Sequence, residues 1–302
     1  ASPTCSRPGP SPGAGPVEQR IMIYHTFHAM GTMVEAWFED DGEPGMLVDW
    51  FESVEEECSR FRPHSTLNRL NDSSDRTVRL SGVLGEVLEI AQGLRDETDG
   101  LVDAGLGEAV SAWGYDRTFG EVTGLDTPPS DLGFPVWSMS DGLLVREPAT
   151  RFDVGGIAKG WTCDRAVESG LALVVSAGGD LRSAHPETTV PVIDPWGETA
   201  AHIELGVGAL ATSSVTRRRW KVGATEANHL IDPRTMSPVS SPVLSATVIA
   251  ETAAAAEAGA KAVLLHGEEG LAWAEATPWI GSALVVWHDG SVFATHGIAV
   301  AA

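Results

Sequence analysis

The chain has 302 residues, 43% of them hydrophobic, and a formal net charge of −22. That length suits one large domain or two small ones with a sizeable core, and the acidity argues against nucleic acid or an anionic membrane surface as partner, because both need a basic face. No run of about 18 apolar residues occurs, so no membrane span is expected, and Cys5, Cys58 and Cys163 are too scattered for a disulfide framework or a zinc site.

Residues 1–20 are rich in Pro, Gly and Ser and lack an apolar h-region. They read as a disordered tail and not as a signal peptide. Residues 21–302 then form a single domain, cytoplasmic on the chain as given and exported if a leader has been removed.

In chain order, Tyr24 to Glu39 alternates as a strand interrupted at 29–32. Leu47, Phe51, Val54 and Cys58 fall at helical spacing, which predicts a helix over 46–60 stopped by Pro63. Residues 59–71 are a polar connection. A second helix is predicted over 82–98, capped by Ser81 and ended by Gly100. A short helix is expected at 109–114 and a loop at 120–136. Strands are expected at 143–147, 150–154, 171–176 and 190–193, and 201–205 with 209–212 read as a strand pair. A β-branched strand at 244–249 precedes an alanine-rich helix over 253–266, capped by Thr252. A terminal hairpin joins 282–287 to 291–295 through Asp289-Gly290. The mixture is α+β with antiparallel hairpins and no repeat.

The stretch Phe152 to Asp164 is the most informative. It reads as a strand end, a Gly155-Gly156 turn and a helix opening near Ile157. Glycines let backbone approach a ligand closely, and the free N–H groups of a helix N-terminus favour anions. Lys159 adds positive charge in a chain with only three lysines, and Asp153 stands just before the turn. A tight strand-to-helix connection with a surface lysine is the plain alternative.

Six blocks follow one another in a recognisable order: Met30-Gly31-Thr32, Ser59-Arg60-Phe61-Arg62-Pro63, Val102-Asp103 to Trp113-Gly114, Asp153 to Gly160, Ala177-Gly178-Gly179-Asp180 and His229 to Arg234. Together they resemble the ApbE-type proteins, the FAD:protein FMN transferases, over about residues 25–295. The resemblance implies an ApbE-like, T-fold-like α+β domain with mixed or antiparallel sheets, packed helices and a ligand cleft between two lobes. It implies FAD as substrate and transfer of the FMN half to a Thr or Ser hydroxyl of an acceptor flavoprotein. AMP is released, and Mg²⁺ sits by the pyrophosphate. Some members hydrolyse FAD to FMN and AMP instead.

Position by position, Met30 resembles the methionine that packs on the flavin, and Phe61 stands where many members have Tyr. Gly105, Leu106 and Gly107 match a segment whose backbone contacts FAD, with Glu108 where Pro is usual. Asp153 resembles the acid that bonds the nucleotide, Lys159 the residue near its phosphates, and Ile231 a residue packed on the ligand. His229 is the candidate base: the reaction deprotonates a hydroxyl, and a group of pKa near 7 suits that step. Core packing of Met30, Phe61 and Ile231, and a loop-stabilising His229, are the alternatives.

The metal set departs from the family. The positions that match are Gly156, Glu257, Ala260 and Lys261, with Glu where Asp is usual and Lys where Thr is usual. An ammonium cannot ligate a cation. Two arrangements stay open. In one, Lys261 swings away while Glu257, Gly156 and waters hold Mg²⁺. In the other, Lys261 occupies the cation position itself. A surface Glu–Lys helix pair is the plain reading. Ser213-Ser214 replaces Ser-Gly, and Ser176 replaces Asn. Two functions compete: a transferase or FAD pyrophosphatase, and a non-catalytic flavin-binding protein with a degenerate metal site.

Overall fold

A computed structural model of the chain describes residues 4–5, 22–39 and 42–298. Apart from residues 4–5, which pair with Thr188 and Thr189, the expected tail at 1–20 lies outside the described residues. The fold is organised on one antiparallel sheet of eight strands that lie side by side in chain order. These are β1 (Ile23–Ala29), β2 (Thr32–Phe38), β3 (Val174–Ala177), β4 (Asp180–Ser183), β5 (Gly208–Ser214), β6 (Val243–Ala250), β7 (Ile280–Trp287) and β8 (Val292–Ala294).

Two tight hairpins set its register. Met30 and Gly31 join β1 to β2 at φ 50° and 69°, and Gly178 and Gly179 join β3 to β4 at φ 65° and 118°. Two-residue turns of positive φ match the twist of the flanking strands. Glycine adopts that conformation freely; Met30 is the exception.

The helices and the small sheets' remaining strands are inserted between sheet neighbours. Between β2 and β3 come α1 (Pro44–Cys58), α2 (Thr66–Asp72), α3 (Gly82–Glu97), α4 (Gly107–Ala112) and α5 (Gly155–Glu168). The same insertion holds a small sheet of 77–79, 143–146 and 137–140. Between β6 and β7 come α6 (Ala253–His266) and α7 (Gly270–Ala276). Period-two alternation sorts the main sheet's two faces. Val34, Ala36, Val175 and Ala177 pack with Phe51 of α1 and Cys163 and Ala166 of α5. Trp37, Val174, Leu181 and Leu210 pack on the opposite side with Val190, Val192 and Ile203 of the hairpin 188–193/199–204.

Helices α5 and α6 touch at their backbones. A Cβ on Gly160 would lie 2.7 Å from the Ala253 carbonyl carbon and the Ala254 nitrogen. Asp164 of α5 reaches the first turn of α6, where its Oδ1 accepts from Ala253 N–H (2.7 Å) and its Oδ2 from Ala254 N–H (3.1 Å). Thr252 Oγ1 accepts from Ala255 N–H at 3.2 Å. The α6 N-terminus is thus capped by its own threonine and by a carboxylate from its neighbour.

Several sequence expectations need correction. Segments 201–205 and 209–212 do not pair. Thr199–Glu204 pairs with Thr188–Ile193, whereas β5 lies between β4 and β6 in the main sheet. Leu205 and Gly206 both donate to the Thr188 carbonyl, which closes the small sheet before the chain crosses. Residues 150–154 form no strand. The Asn71 side chain serves both backbone groups of Phe152, donating to its carbonyl at 2.9 Å and accepting from its N–H at 2.7 Å. A sheet partner is unnecessary there. Ser81 sits at the N-cap of α3 without a side-chain capping bond. The polar run 59–71 contains α2, capped by Ser65, whose Oγ accepts from Asn68 N–H at 3.0 Å.

Candidate active site

A cavity of about 830 Å³ opens where the first turn of α5 meets α6, the ends of β4 and β5, and the inserted segments around 58–62, 101–120 and 217–231. Of the residues singled out in the sequence, Met30, Phe61, Leu106, Asp153, Gly156, Lys159, His229, Ile231, Glu257 and Lys261 line it. Gly105, Gly107 and Ala260 do not. The two glycines answer to packing: a Cβ on Gly105 would lie 2.7 Å from Pro135 and 2.8 Å from Trp137 Nε1, and one on Gly107 2.8 Å from the Arg151 carbonyl oxygen. Ala260 is fully buried against Val248 and Val263 in the core beneath α6.

Each carboxylate at the α5 end of the cavity has one cation. Lys159 Nζ lies 2.9 Å from Asp180 Oδ2, Lys261 Nζ 3.1 Å from Glu257 Oε1, and Arg60 Nε 2.8 Å from Asp153 Oδ2. Further donors complete the carboxylates. Ser213 Oγ donates to Glu257 Oε2 at 3.0 Å, and Gly155 N–H donates to Asp153 Oδ1 at 2.9 Å. Burial opposes charge on Lys159, yet Asp180 and Glu257 outweigh it and hold the ammonium above its ordinary pKa. Burial likewise opposes charge on Glu257 and Asp153. Lys261 wins at the first and Arg60 at the second, so both carboxyls titrate below their usual range. At Asp180 burial wins and raises the carboxyl, against the pull of Lys159.

Lys261 is fitted against Gly156. A Cβ there would lie 1.9 Å from its Nζ and 3.5 Å from Glu257 Oε1. Arg60 rests against two adjoining rings, its guanidinium 4.2 Å from the Phe61 ring centre and 4.5 Å from that of Tyr115. Its Nη2 is enclosed without a partner. Arg218 Nη1 bonds the Tyr115 hydroxyl at 2.9 Å. Met30 is anchored at its N–H by Glu55 Oε2 (3.0 Å), with Thr162 Oγ1 3.7 Å from its sulfur.

His229 is partly buried, and its Nδ1 is shut off from solvent with no hydrogen-bond partner. Burial, then Arg218 and Lys261, lower its pKa to about 3. The expected base of pKa near 7 is therefore a neutral, weakly basic imidazole in the free protein.

The positions expected to hold magnesium do not suit it. Mg²⁺ asks for close octahedral oxygens at about 2.0–2.1 Å. Here Lys261 holds one Glu257 oxygen and Ser213 the other, and Ala260 is turned into the core. No group of three or more His, Cys, Asp or Glu side chains suited to a metal occurs among the described residues.

Arg60, Asp180 and Arg218 were given no role from sequence, and Ser213 was noted only as part of the Ser213-Ser214 departure. Asp180 closed a glycine turn, and Arg60 stood inside a motif read for its phenylalanine. The run Arg217-Arg218-Arg219 was a usable signal in so acidic a chain.

Carboxylate-paired cations thus stand around the N-terminal turn of a helix that packs on an antiparallel sheet. A sequence model of the ApbE family matches residues 30–282. The chain belongs to the ApbE family. It is 28% identical to the FAD:protein FMN transferase of Rhodobacter capsulatus over 90% of this chain and 57% of that protein, so it spans little more than half that relative's length. It is also 28% identical to the FAD:protein FMN transferase of Vibrio cholerae serotype O1, over 74% of each. Among solved structures it resembles the ApbE protein of Thermotoga maritima, at a TM-score of 0.79 and 23% identity over 91% of this chain and 97% of that one. The flavin transferase ApbE of Vibrio cholerae gives a TM-score of 0.77 and 23% identity over 92% and 98%. No helix among the described residues is long and apolar enough to cross a membrane.

Proposed function

We propose that this chain is an FAD:protein FMN transferase, which binds FAD in the cavity and moves FMN to a Ser or Thr hydroxyl of an acceptor protein. The observation that carries the reading is the set of ammonium groups, Lys159 and Lys261, held at the Gly155-Gly156 end of α5 and facing a cavity of about 830 Å³. That volume lies within the range of about 300–1,000 Å³ usual for small-molecule sites. The relatives named above as transferases support it.

In the reaction the acceptor oxygen bonds the FMN-side phosphorus. The bond from that phosphorus to the bridging oxygen breaks, and AMP leaves with the bridging oxygen. The hydroxyl proton passes to the His229 imidazole, whose enclosed Nδ1 makes no hydrogen bond within the chain. The two phosphates offset Arg218 and Lys261, the charges that join burial in lowering the imidazole. Its basicity rises when the substrate is in place. Lys159 and Lys261 face the charge that grows on the phosphoryl oxygens. Phe61, Met30 and Ile231 give the apolar walls on which a planar ring system can rest.

The test is to incubate the protein with FAD and a serine- or threonine-bearing acceptor, then measure AMP and the acceptor's mass. AMP in equal amount to FMN-modified acceptor is expected. AMP with free FMN would make the protein an FAD pyrophosphatase. Retained FAD with no AMP would make it a flavin-binding protein, the reading that the low pKa of His229 favours.

A further inference from the structure

Resting on that reading of the cavity, we propose that the Lys261 ammonium is the built-in counter-ion of the dinucleotide's pyrophosphate, and that this site binds and turns over its ligand without a divalent cation. Four observations carry this. First, the carboxylates that a metal would need are committed: Asp153 to Arg60, Asp180 to Lys159 and Glu257 to Lys261, at 2.8, 2.9 and 3.1 Å. Second, both Glu257 oxygens are engaged, one by Lys261 Nζ and the other by Ser213 Oγ at 3.0 Å. A metal ion could not reach that carboxylate without displacing a positive charge of its own sign.

Third, the backbone is shaped to the lysine. Nζ lies so close to Gly156 that a Cβ there would stand 1.9 Å away. Only glycine leaves room for the ammonium at the first turn of α5, so Gly156 and Lys261 form one fitted unit. Fourth, the tip is held by packing and by the pair with Glu257, with only 19% of the side chain exposed. A free surface lysine of a helix i,i+4 pair would not be enclosed in this way. An ammonium offers three donors and a fixed positive charge, which suits two adjacent phosphates.

Titration calorimetry of FAD into the wild-type protein, once in excess EDTA and once in millimolar MgCl₂, tests the proposal without any variant. Equal affinities in the two buffers are expected, as is AMP release in EDTA when acceptor is added. MgCl₂ titrated alone should give no saturable heat. Lys261→Met should weaken FAD in EDTA by about ten- to a hundredfold, the worth of a hydrogen bond between charged groups. The double variant Glu257→Asp, Lys261→Thr restores oxygen donors. It should bind FAD weakly in EDTA and recover with Mg²⁺, and thermal melts confirm that both variants are folded. A wild-type affinity that rises about tenfold or more with Mg²⁺, or a folded Lys261→Met with undiminished affinity in EDTA, would overturn the proposal while leaving the flavin site standing. No FAD binding in any buffer would overturn the flavin reading and the proposal together.

Discussion

Replacing Gly156 by alanine separates the electrostatic role of Lys261 from its role in the fold. Gly156 is the second residue of α5, and its φ is not positive, so alanine suits the backbone. A glycine-to-alanine change at such a position stabilises by about 0.4–1 kcal/mol, chiefly by restricting the unfolded chain. The added Cβ meets no backbone. Its near neighbours are Lys261 Nζ at 1.9 Å, Lys261 Cε at 3.2 Å and Glu257 Oε1 at 3.5 Å. The lysine tip, and not the helix, must give way, retreating by about 1.6 Å to reach ordinary contact near 3.5 Å. At an effective dielectric of about 20, a unit charge pair is worth about 4 kcal/mol at about 4 Å and about 3 kcal/mol at about 5.6 Å. The loss of about 1.2 kcal/mol per phosphate charge faced corresponds to about five- to tenfold weaker FAD binding in EDTA. The folding gain and the stretched Lys261–Glu257 pair oppose each other, so Tm should move by no more than about 2–4 °C. Calorimetry with FAD and a thermal melt give both numbers. Unchanged affinity would refute the placement of the ammonium beside the phosphates. A collapse in Tm would show that the alanine methyl meets the scaffold.

Three further outcomes are expected. His229 is lowered on folding from 6.5 to about 3. Its contribution to stability is therefore complete above about pH 6.5 and is lost as pH falls toward about 3. Its NMR signal should stay that of a neutral imidazole at about pH 5 and shift to a higher pKa on adding ADP or FAD; protonation near 6.5 in the free protein would refute the enclosure of Nδ1. Asp164 is raised to about 6, with burial outweighing the N–H groups of α6. A carboxyl raised on folding contributes stability that is present below its unfolded pKa and lost as pH climbs through about 6. The unfolding free energy of Asp164→Asn, compared with wild type by denaturant titration, should lack that loss between about pH 4 and 6; parallel profiles would contradict it. Gly160→Ala places a methyl 2.7 Å from backbone of α6 that cannot yield. It should cost about 1–3 kcal/mol, read as a lowered denaturation midpoint, and an undisturbed midpoint would mean that α5 and α6 can part.

Local signals made much of this fold legible. Thr252 caps α6 as its spacing from the alanine run indicated, and the Gly155-Gly156 turn opens α5, two residues earlier than expected. The hairpin at Asp289-Gly290 and the helix ended near Gly100 are equally local. Pairing was not legible where it depends on distant chain. Nothing in 201–212 says that β5 belongs beside Asp180–Ser183, more than twenty residues away, and not beside its own neighbour. Asn71, 81 residues from Phe152, removes a strand that the pattern at 150–154 indicated. In the site, the motifs located Lys159, Glu257 and Lys261 but could not show their partners. Gly105 and Gly107 show how a glycine reports closeness without naming its object: an added Cβ would meet Pro135 and Trp137 at the first and the backbone at Arg151 and Phe152 at the second.

The pairing of cations with carboxylates also bears on how the proposed phosphate site would work in a chain with 42 acidic and 20 basic residues. Surface charges beyond about 8 Å are largely screened at physiological ionic strength, so a ligand at the α5 terminus is governed by the groups it touches. Asp153, Asp180 and Glu257 each hold a cation in place and leave the end of the cavity close to neutral, while Arg218 leans on a neutral hydroxyl and adds unpaired charge. Fixing a lysine costs about 1.5–2 kcal/mol of side-chain entropy. For Lys159 and Lys261 that cost falls on folding and not on binding. On the proposed reading, a carboxylate that would repel a phosphate in isolation favours it, because it keeps the ammonium where the phosphate would arrive.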